Sequence, residues 1–408
     1  MTDAAADRRP LSPVLTVLTG GEVYTPEAIG RADIVVAGER IARVGEGSGS
    51  WATTATASEA GPVEELRLDG LFVAPGLVDC HVHFLGGGGG DGYDSRSPEL
   101  QLSDFTANGI TTVLAPLGID PVSRSLEGLL AKARALTQGG ITAYVYTGGF
   151  RKPLLNLTGS PWRDAYLVPE VRGVKLAMGV EGAPTHAMRD LIDLSRELLW
   201  VEQATGRRLV IHVHLGTLAA GHALVQELAA ELADRQHLVV THCNRTEMHV
   251  ETAIALAGVG AWTDMTCMIA PSRGWPESLS ASDAVLRMTA AGASLERVTL
   301  STDGNGAVPE IEGGRSWAPY RKHMDSLLAE IRALVAGGIP LADALAFASA
   351  KPATALGLLE KGAIRPGADA DIIGLGPDLQ LREVHARGRR MVGDGRVLVL
   401  GRYERDER

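Results

Sequence analysis

Only three cysteines occur in the 408 residues, Cys80, Cys243 and Cys267. They are too few and too scattered for a disulfide framework, which points to a reducing compartment. No apolar run approaches the roughly 18 residues that a membrane span needs. The opening segment, MTDAAADRRPLSP, places acids before its basic pair and lacks an apolar stretch, so no secretory leader is expected and the chain reads as cytoplasmic. Positive charge is also in short supply. Lys and Arg total 39 against 49 Asp and Glu, a net charge of −10. A chain so balanced is not built to neutralise phosphates, which excludes nucleic acid as a natural partner.

What is present is ordinary for a globular protein, with 45% hydrophobic and 22% charged residues. The length exceeds one small core and suits one large barrel with a satellite domain. Residues 15–45 alternate like strands with turns between them. Residues 46–62, EGSGSWATTATASEAGP, are small and polar and read as a surface loop. From Leu71 the pattern changes to short apolar runs separated by helical stretches. The runs are LFVAPGLVDCHVHF, ITTVLAPLG, ITAYVYTGG, GVKLAMG, RLVIHVHLG, HLVVTHCNR, AWTDMTC and RVTLSTDGNG. Eight buried strands alternating with helices over about 250 residues predict an α/β fold of the TIM (β/α)8 barrel type. After a helical region at 318–358, the turn-rich segment from Lys361 returns to strand chemistry. The expectation is a barrel over 71–358 and a small β-sandwich domain built from both chain ends, 1–70 and 359–408.

His81 and His83, in VDCHVHF, stand two apart at the end of the first barrel run. Strand spacing would turn both imidazoles into the barrel mouth, a half-site for Zn²⁺ or a similar ion. His214 ends the fifth run, His242 the sixth and Asp303 the eighth. Four histidines and an aspartate gathered at one rim would be costly to bury without a metal partner. Lys175 lies in GVKLAMG, a strand too apolar to welcome an ammonium group. Burial lowers its pKa, and the neutral amine can take up CO₂ as an anionic carbamate that bridges two metals. His212 shares a face with His214 but lies deeper, and reads as a core or supporting histidine. Cys80 and Cys243 adjoin histidines, and strand alternation turns them the other way.

The strand-one HVH, the strand-four GVK, the strand-five and strand-six histidines and the closing DGNG together resemble the amidohydrolase superfamily. More closely, the chain is similar to bacterial isoaspartyl (β-aspartyl) dipeptidases over nearly its whole length. The resemblance includes the glycine run after HVH, SRSLEGLLAKARALTQGGITAYVYTGG, THCNR, STDGNG and KGAIRPGADADII. It implies a metal-dependent hydrolase of an amide bond with two divalent ions, usually zinc. His81, His83 and Asp303 would hold the more buried ion and His214 and His242 the more exposed one. Carbamylated Lys175 and a hydroxide would bridge them. The hydroxide would attack the amide carbonyl, and Asp303 would carry its proton to the leaving amine. It further implies a small-molecule amide or dipeptide substrate, with Gly88 and Arg245 as retained substrate contacts, and a homo-oligomer.

The substrate positions depart from that pattern. The family's amino-binding glutamate falls on Gly90, its oxyanion tyrosine on Phe150 and its carboxylate-binding arginine on Gly182. A threonine and a serine fall on Ile119 and Ala307. Asp91, Arg151, Lys152 and Glu181 are candidate replacements for the lost charges, and Tyr144 or Tyr146 for the tyrosine. These losses predict poor turnover of simple β-aspartyl dipeptides; a small β-aspartyl-like or N-acyl amide is the leading expectation, and a different N-acyl, cyclic-amide or imide substrate the alternative. A deaminase is disfavoured because Leu215, Gly216 and Thr217 follow His214 where such enzymes carry a His-x-x-Glu. A non-catalytic relative is disfavoured because all six metal positions are filled.

Overall fold

The computed structural model describes residues 15–47, 63–90, 92–232, 234, 237–306 and 322–405. The expected leader-free start, most of the 46–62 loop, Asp91 and Ala307 lie outside the described residues. Eight parallel strands pair in sequence order. They are β1 (Leu77–Asp79), β2 (Ile110–Ala115), β3 (Thr142–Gly148), β4 (Val171–Met178), β5 (Val210–Leu215), β6 (Leu238–Thr241), β7 (Trp262–Thr266) and β8 (Val298–Ser301). A parallel bridge between Val82 and Gly304 joins the two ends of this sheet. Asp303 N–H donates to the His81 carbonyl at 2.8 Å and His83 N–H to the Gly304 carbonyl at 2.9 Å. The barrel therefore closes at the rim where the chemistry-bearing residues sit.

The strands are runs of apolar residues because both faces are covered, by side chains inside and helices outside. The outer helices show why they pack there. In the helix Met188–Thr205, Leu191, Leu194, Leu198 and Val201 recur at helical spacing and are buried, and Gly206 ends the helix at φ 69°. Truncating Leu198, which is wholly buried, would cost about 2–5 kcal/mol. In the helix Leu126–Gly139 the Ser125 hydroxyl accepts from Gly128 N–H and Gly140 stops the helix. Inside the barrel, Val78, Leu114, Tyr146, Val210, Val239 and Trp262 pack with the helix Ala350–Ala355.

The run from Leu71 to Phe84 divides into two strands. Phe72–Pro75 joins a second, mixed sheet, and Leu77–Asp79 begins the barrel. Gly76 is the pivot. Its N–H donates to the Asp371 carbonyl at 2.8 Å, and any Cβ there would collide with Thr111. Hydrogen bonding runs continuously through the nine strands of that sheet. The order is 396–397, 389–393, 381–386, 372–375, 72–75, 15–24, 28–37 and 40–45, with 63–67 alongside 15–24. Both chain ends thus meet in one layer, with Leu18, Val23, Ile34, Val36, Ile41, Val73 and Ile372 in its core. Buried Lys361 pairs with Asp369 and Asp371, each at 2.6 Å, and donates to Thr142 at the start of β3 at 2.6 Å. That cluster joins the sheet to the barrel.

Candidate metal centre

β1 ends at Asp79, so strand alternation does not place His81 and His83 as the sequence suggested. The backbone bends past the strand, and both rings still face the same carboxylate. His83 Nε2 lies 3.1 Å and His81 Nε2 3.6 Å from Asp303 Oδ1. These three residues offer ligand atoms within 4.8 Å of one another, a group fit for a divalent ion. The bend also corrects the reading of Cys80. Its thiol turns inward and donates to Asp264 Oδ1 at 3.5 Å. The Cys243 thiol meets the Val240 carbonyl at 3.2 Å, away from the site.

His242 and Asp303 follow their strands in left-handed backbone, at φ 68° and 49°, and Asn305 does so at 64°. This conformation is costly for non-glycine residues, and such strain gathers at functional sites. Asp79 helps hold it. Its Oδ1 accepts from Thr302 N–H at 3.0 Å and His81 N–H at 3.3 Å, and its Oδ2 accepts from the Thr302 hydroxyl. Burial pushes the Asp79 carboxyl up to about 7 even so. The loop that follows Phe150 is pinned by buried Asp164, which accepts from Thr147 and Thr158 hydroxyls and from the N–H groups of Leu157 and Thr158.

Lys175 Nζ reaches His81 Nε2 at 3.2 Å. Burial brings its pKa down to about 7, against the pull of Asp303 and Asp264. On the other side, His242 Nε2 and His214 Nδ1 stand 2.8 Å apart. Burial also lowers the pKa values of His81, His214 and His242 well below the ordinary imidazole value. All three are neutral near pH 7, the state a metal requires.

In the sequence Asp264 is only a lone acid in the apolar run AWTDMTC. It lies buried beneath the centre and accepts from the hydroxyls of Thr241 at 2.7 Å, Thr299 at 2.7 Å and Ser301 at 2.6 Å. Since Thr241 gives its proton to the bond with Asp264, its oxygen can only accept from His81 Nδ1, 3.3 Å away. This fixes the tautomer of His81: Nδ1 carries the hydrogen and Nε2 presents its lone pair to the centre. His242 Nδ1 has a similar partner in the Thr266 hydroxyl at 2.8 Å. His212 packs its ring on Tyr146 (4.7 Å) and edge-on to His81 (5.0 Å), below the rim, and neither of its nitrogens has a partner.

The substrate-side residues divide. Phe150 meets His214, ring centroids 4.8 Å apart. Tyr146 does not replace its missing hydroxyl, since that of Tyr146 donates to the Cys80 carbonyl at 2.9 Å. Tyr144 lies under Arg172. Gly88 is buried with φ 72°, and any Cβ would strike the Ser95 carbonyl. Gly182 is exposed, and its carbonyl accepts from Arg151 at 3.4 Å; Lys152 pairs with Asp190 at 3.4 Å. Glu181 is exposed.

A closed eight-stranded barrel with a buried His-His-Asp group at its rim defines a class. The chain belongs to the amidohydrolase family, whose model matches residues 72–391, and it is a hydrolase of that superfamily, whose members typically use metal ions. Among solved structures it is similar to the β-aspartyl dipeptidase of Fervidobacterium islandicum AW-1 in complex with β-Asp-Leu. Identity is 29%, with 94% of this chain and 98% of that chain covered and a TM-score of 0.83. The dihydropyrimidinase of Brevibacillus agri NCHU1002 shares the fold at a TM-score of 0.69 and 15% identity, covering 95% of this chain and 97% of that one. The adenine deaminase of Paracoccus denitrificans is 26% identical over 98% of this chain, which spans only 60% of that protein's length. No helix among the described residues is long and apolar enough to cross a membrane.

Proposed function

We propose that this protein is a binuclear metal-dependent amidohydrolase that cleaves an amide bond in a small molecule. The observation that carries the reading is the convergence of His81, His83, His214 and His242 with Lys175 and Asp303 on one barrel rim. Such a cluster is costly to bury unless a cation completes it. His81, His83 and Asp303 would hold one ion, and His214 and His242 the other. Residues 77–358 form the catalytic unit in this reading, with 1–76 and 359–408 as the accessory β-domain.

When bound, two divalent ions, with Zn²⁺ suited to this imidazole-rich set, supply a Lewis acid for the carbonyl and acidify a water. Lys175, as a carbamate, would contribute an anionic ligand. Its neutral amine attacks CO₂, the N–C bond forms as a C=O pair moves onto oxygen, and loss of the amine proton leaves a carbamate. The lowered pKa of Lys175 keeps that amine available at neutral pH. Asp303 accepts the proton of the attacking water and returns it to the leaving nitrogen. Arg245 and Gly88 line the substrate's approach.

The test is elemental analysis of protein purified without chelator, joined to a hydrolysis screen over β-aspartyl dipeptides, N-acyl amino acids and cyclic amides. Metal bound with turnover of an amide supports the reading. Folded protein that binds no metal, or that releases ammonia from adenine and cleaves no amide, contradicts it.

A further inference from the structure

The chain after His83 returns on itself, and Gly87 pairs with Ser97. Gly87 N–H donates to the Ser97 hydroxyl at 2.8 Å, and Ser97 N–H donates to the Gly87 carbonyl at 3.1 Å. A third residue closes this junction from the loop after β2. Part-buried Arg124 donates from Nη1 to the Gly87 carbonyl at 2.6 Å and from Nη2 to the Ser97 carbonyl. A planar guanidinium can bridge two carbonyls in this way, and an ammonium group cannot hold both in the same geometry. The close approach also accounts for two of the glycines. A Cβ on Gly86 would lie 2.6 Å from Arg124 Nη2, and one on Gly87 would lie 2.5 Å from the Asn305 carbonyl oxygen.

The junction sits against the candidate metal centre. Gly87 Cα and His83 Nδ1 stand 3.5 and 3.6 Å from the Cβ position of Gly118. The Ser97 hydroxyl reaches the Asn305 carbonyl at 3.1 Å, and the Asn305 amide donates to the His83 carbonyl at 3.0 Å. The metal-site backbone nevertheless has supports of its own. His83 N–H bonds to Gly304, Asp303 N–H to His81 and Asn305 N–H to Lys322, none of them through Arg124. The outer part of the loop is held less firmly. Gly89 N–H donates to the Ser95 hydroxyl at 3.0 Å, and Arg96 pairs with Asp120 at 3.4 Å, a partly exposed contact of small worth. Gly88, at the substrate's approach, lies within this loop. Losing Arg124 should therefore loosen the loop and leave the metal ligands in place.

We infer that Arg124 is a positioning residue for substrate binding. It holds residues 86–97 against the rim through the Gly87 and Ser97 carbonyls and touches neither substrate nor metal. The kinetic part of its test rests on the proposed amide hydrolysis, and the structural part does not.

Hydrogen exchange read by mass spectrometry follows the loop whether or not an amide is cleaved. In Arg124→Ala, peptides covering 86–97 should exchange about 10- to 100-fold faster, the loss expected for hydrogen bonds from a charged donor, while β4–β6 exchange as in wild type. Guanidinium chloride far below denaturing concentrations should restore protection, and sodium chloride at equal ionic strength should not. Arg124→Lys, which keeps the charge and loses the fork, should fall between wild type and Arg124→Ala. On the zinc-loaded protein, β-Asp-Leu, N-acetyl-leucine and dihydrouracil are then compared. For the one turned over fastest, Arg124→Ala should raise KM about tenfold or more, with kcat within about threefold and zinc content unchanged. Unchanged exchange over 86–97, an unchanged KM, or a loss of activity that follows loss of zinc overturns the inference and leaves amide hydrolysis standing. If wild type cleaves none of the three while Arg124→Ala loosens the loop and guanidinium restores it, the proposed reaction falls and the positioning stands.

Discussion

Replacing Thr241 by Val tests how the barrel interior prepares its rim. The side chains are nearly the same shape, so the change removes one hydroxyl and little volume. That hydroxyl donates to Asp264 at 2.7 Å and accepts from His81 Nδ1 at 3.3 Å. Asp264 keeps Ser301 and Thr299, at 2.6 and 2.7 Å, so the carboxylate stays paired. His81 Nδ1 loses its bond to that hydroxyl, and with it the restraint on tautomer and ring angle. Removing such a partner weakens metal binding about 10- to 100-fold, or about 1.4–2.8 kcal/mol. The assay is equilibrium competition for Zn²⁺ against a chromophoric chelator, with urea unfolding of the metal-free protein as a check on folding. Thr263→Val is the control. The Thr263 hydroxyl is buried on β7 with no partner, so its removal should leave Zn²⁺ affinity unchanged and stability equal or higher. Thr241→Val with affinity within twofold of wild type would refute the relay from Asp264 to His81.

Three further outcomes are expected. Lys175→Ala should lose metal and activity, with partial rescue by a short carboxylic acid filling the bridge; full metal content in that variant would tell against the assignment. Phe150→Tyr places a donor beside His214 and should raise β-Asp-Leu turnover by tenfold or more, toward the 10²–10³ typical of an oxyanion donor; an unchanged kcat would mean that position does not face the reacting carbonyl. His385 is buried with neither nitrogen paired, and burial takes its pKa down to about 4. The unfolded chain therefore binds the proton first. Its contribution is complete above the unfolded value near 6.5 and is lost as pH falls toward 4, about 3 kcal/mol in all. Urea midpoints of His385→Leu should fall less steeply over that window than those of wild type, and parallel curves would exclude His385 as a cause of acid sensitivity.

The eight-strand count was legible because buried parallel strands are written as apolar runs, and each run contains one barrel strand. His214 could be placed by strand position alone. His81 and His83 were found for a reason the fold does not use. Their convergence comes from a bend after Asp79 and from the barrel-closing bonds to Asp303 and Gly304, contacts between distant parts of the chain that no local pattern encodes. The split at Gly76 was hidden for a similar reason, since both halves of that run are equally apolar and only the approach of Thr111 and Asp371 parts them. Asp264 and Asp79 escaped because an acid inside an apolar strand reads as a blemish until the hydroxyls around it are seen. The inward turn of Cys80 was missed by extending strand alternation past the end of the strand.

The central claim is that six residues on one rim hold two ions bridged by a modified lysine. The most direct test measures bound metal by elemental analysis and, on the same sample supplied with ¹³CO₂, the carbamate carbonyl by ¹³C NMR. The account predicts two divalent ions per chain and a carbamate signal that disappears in Lys175→Ala. An active, metal-loaded protein with an unmodified Lys175, or one holding a single ion at full activity, would contradict it.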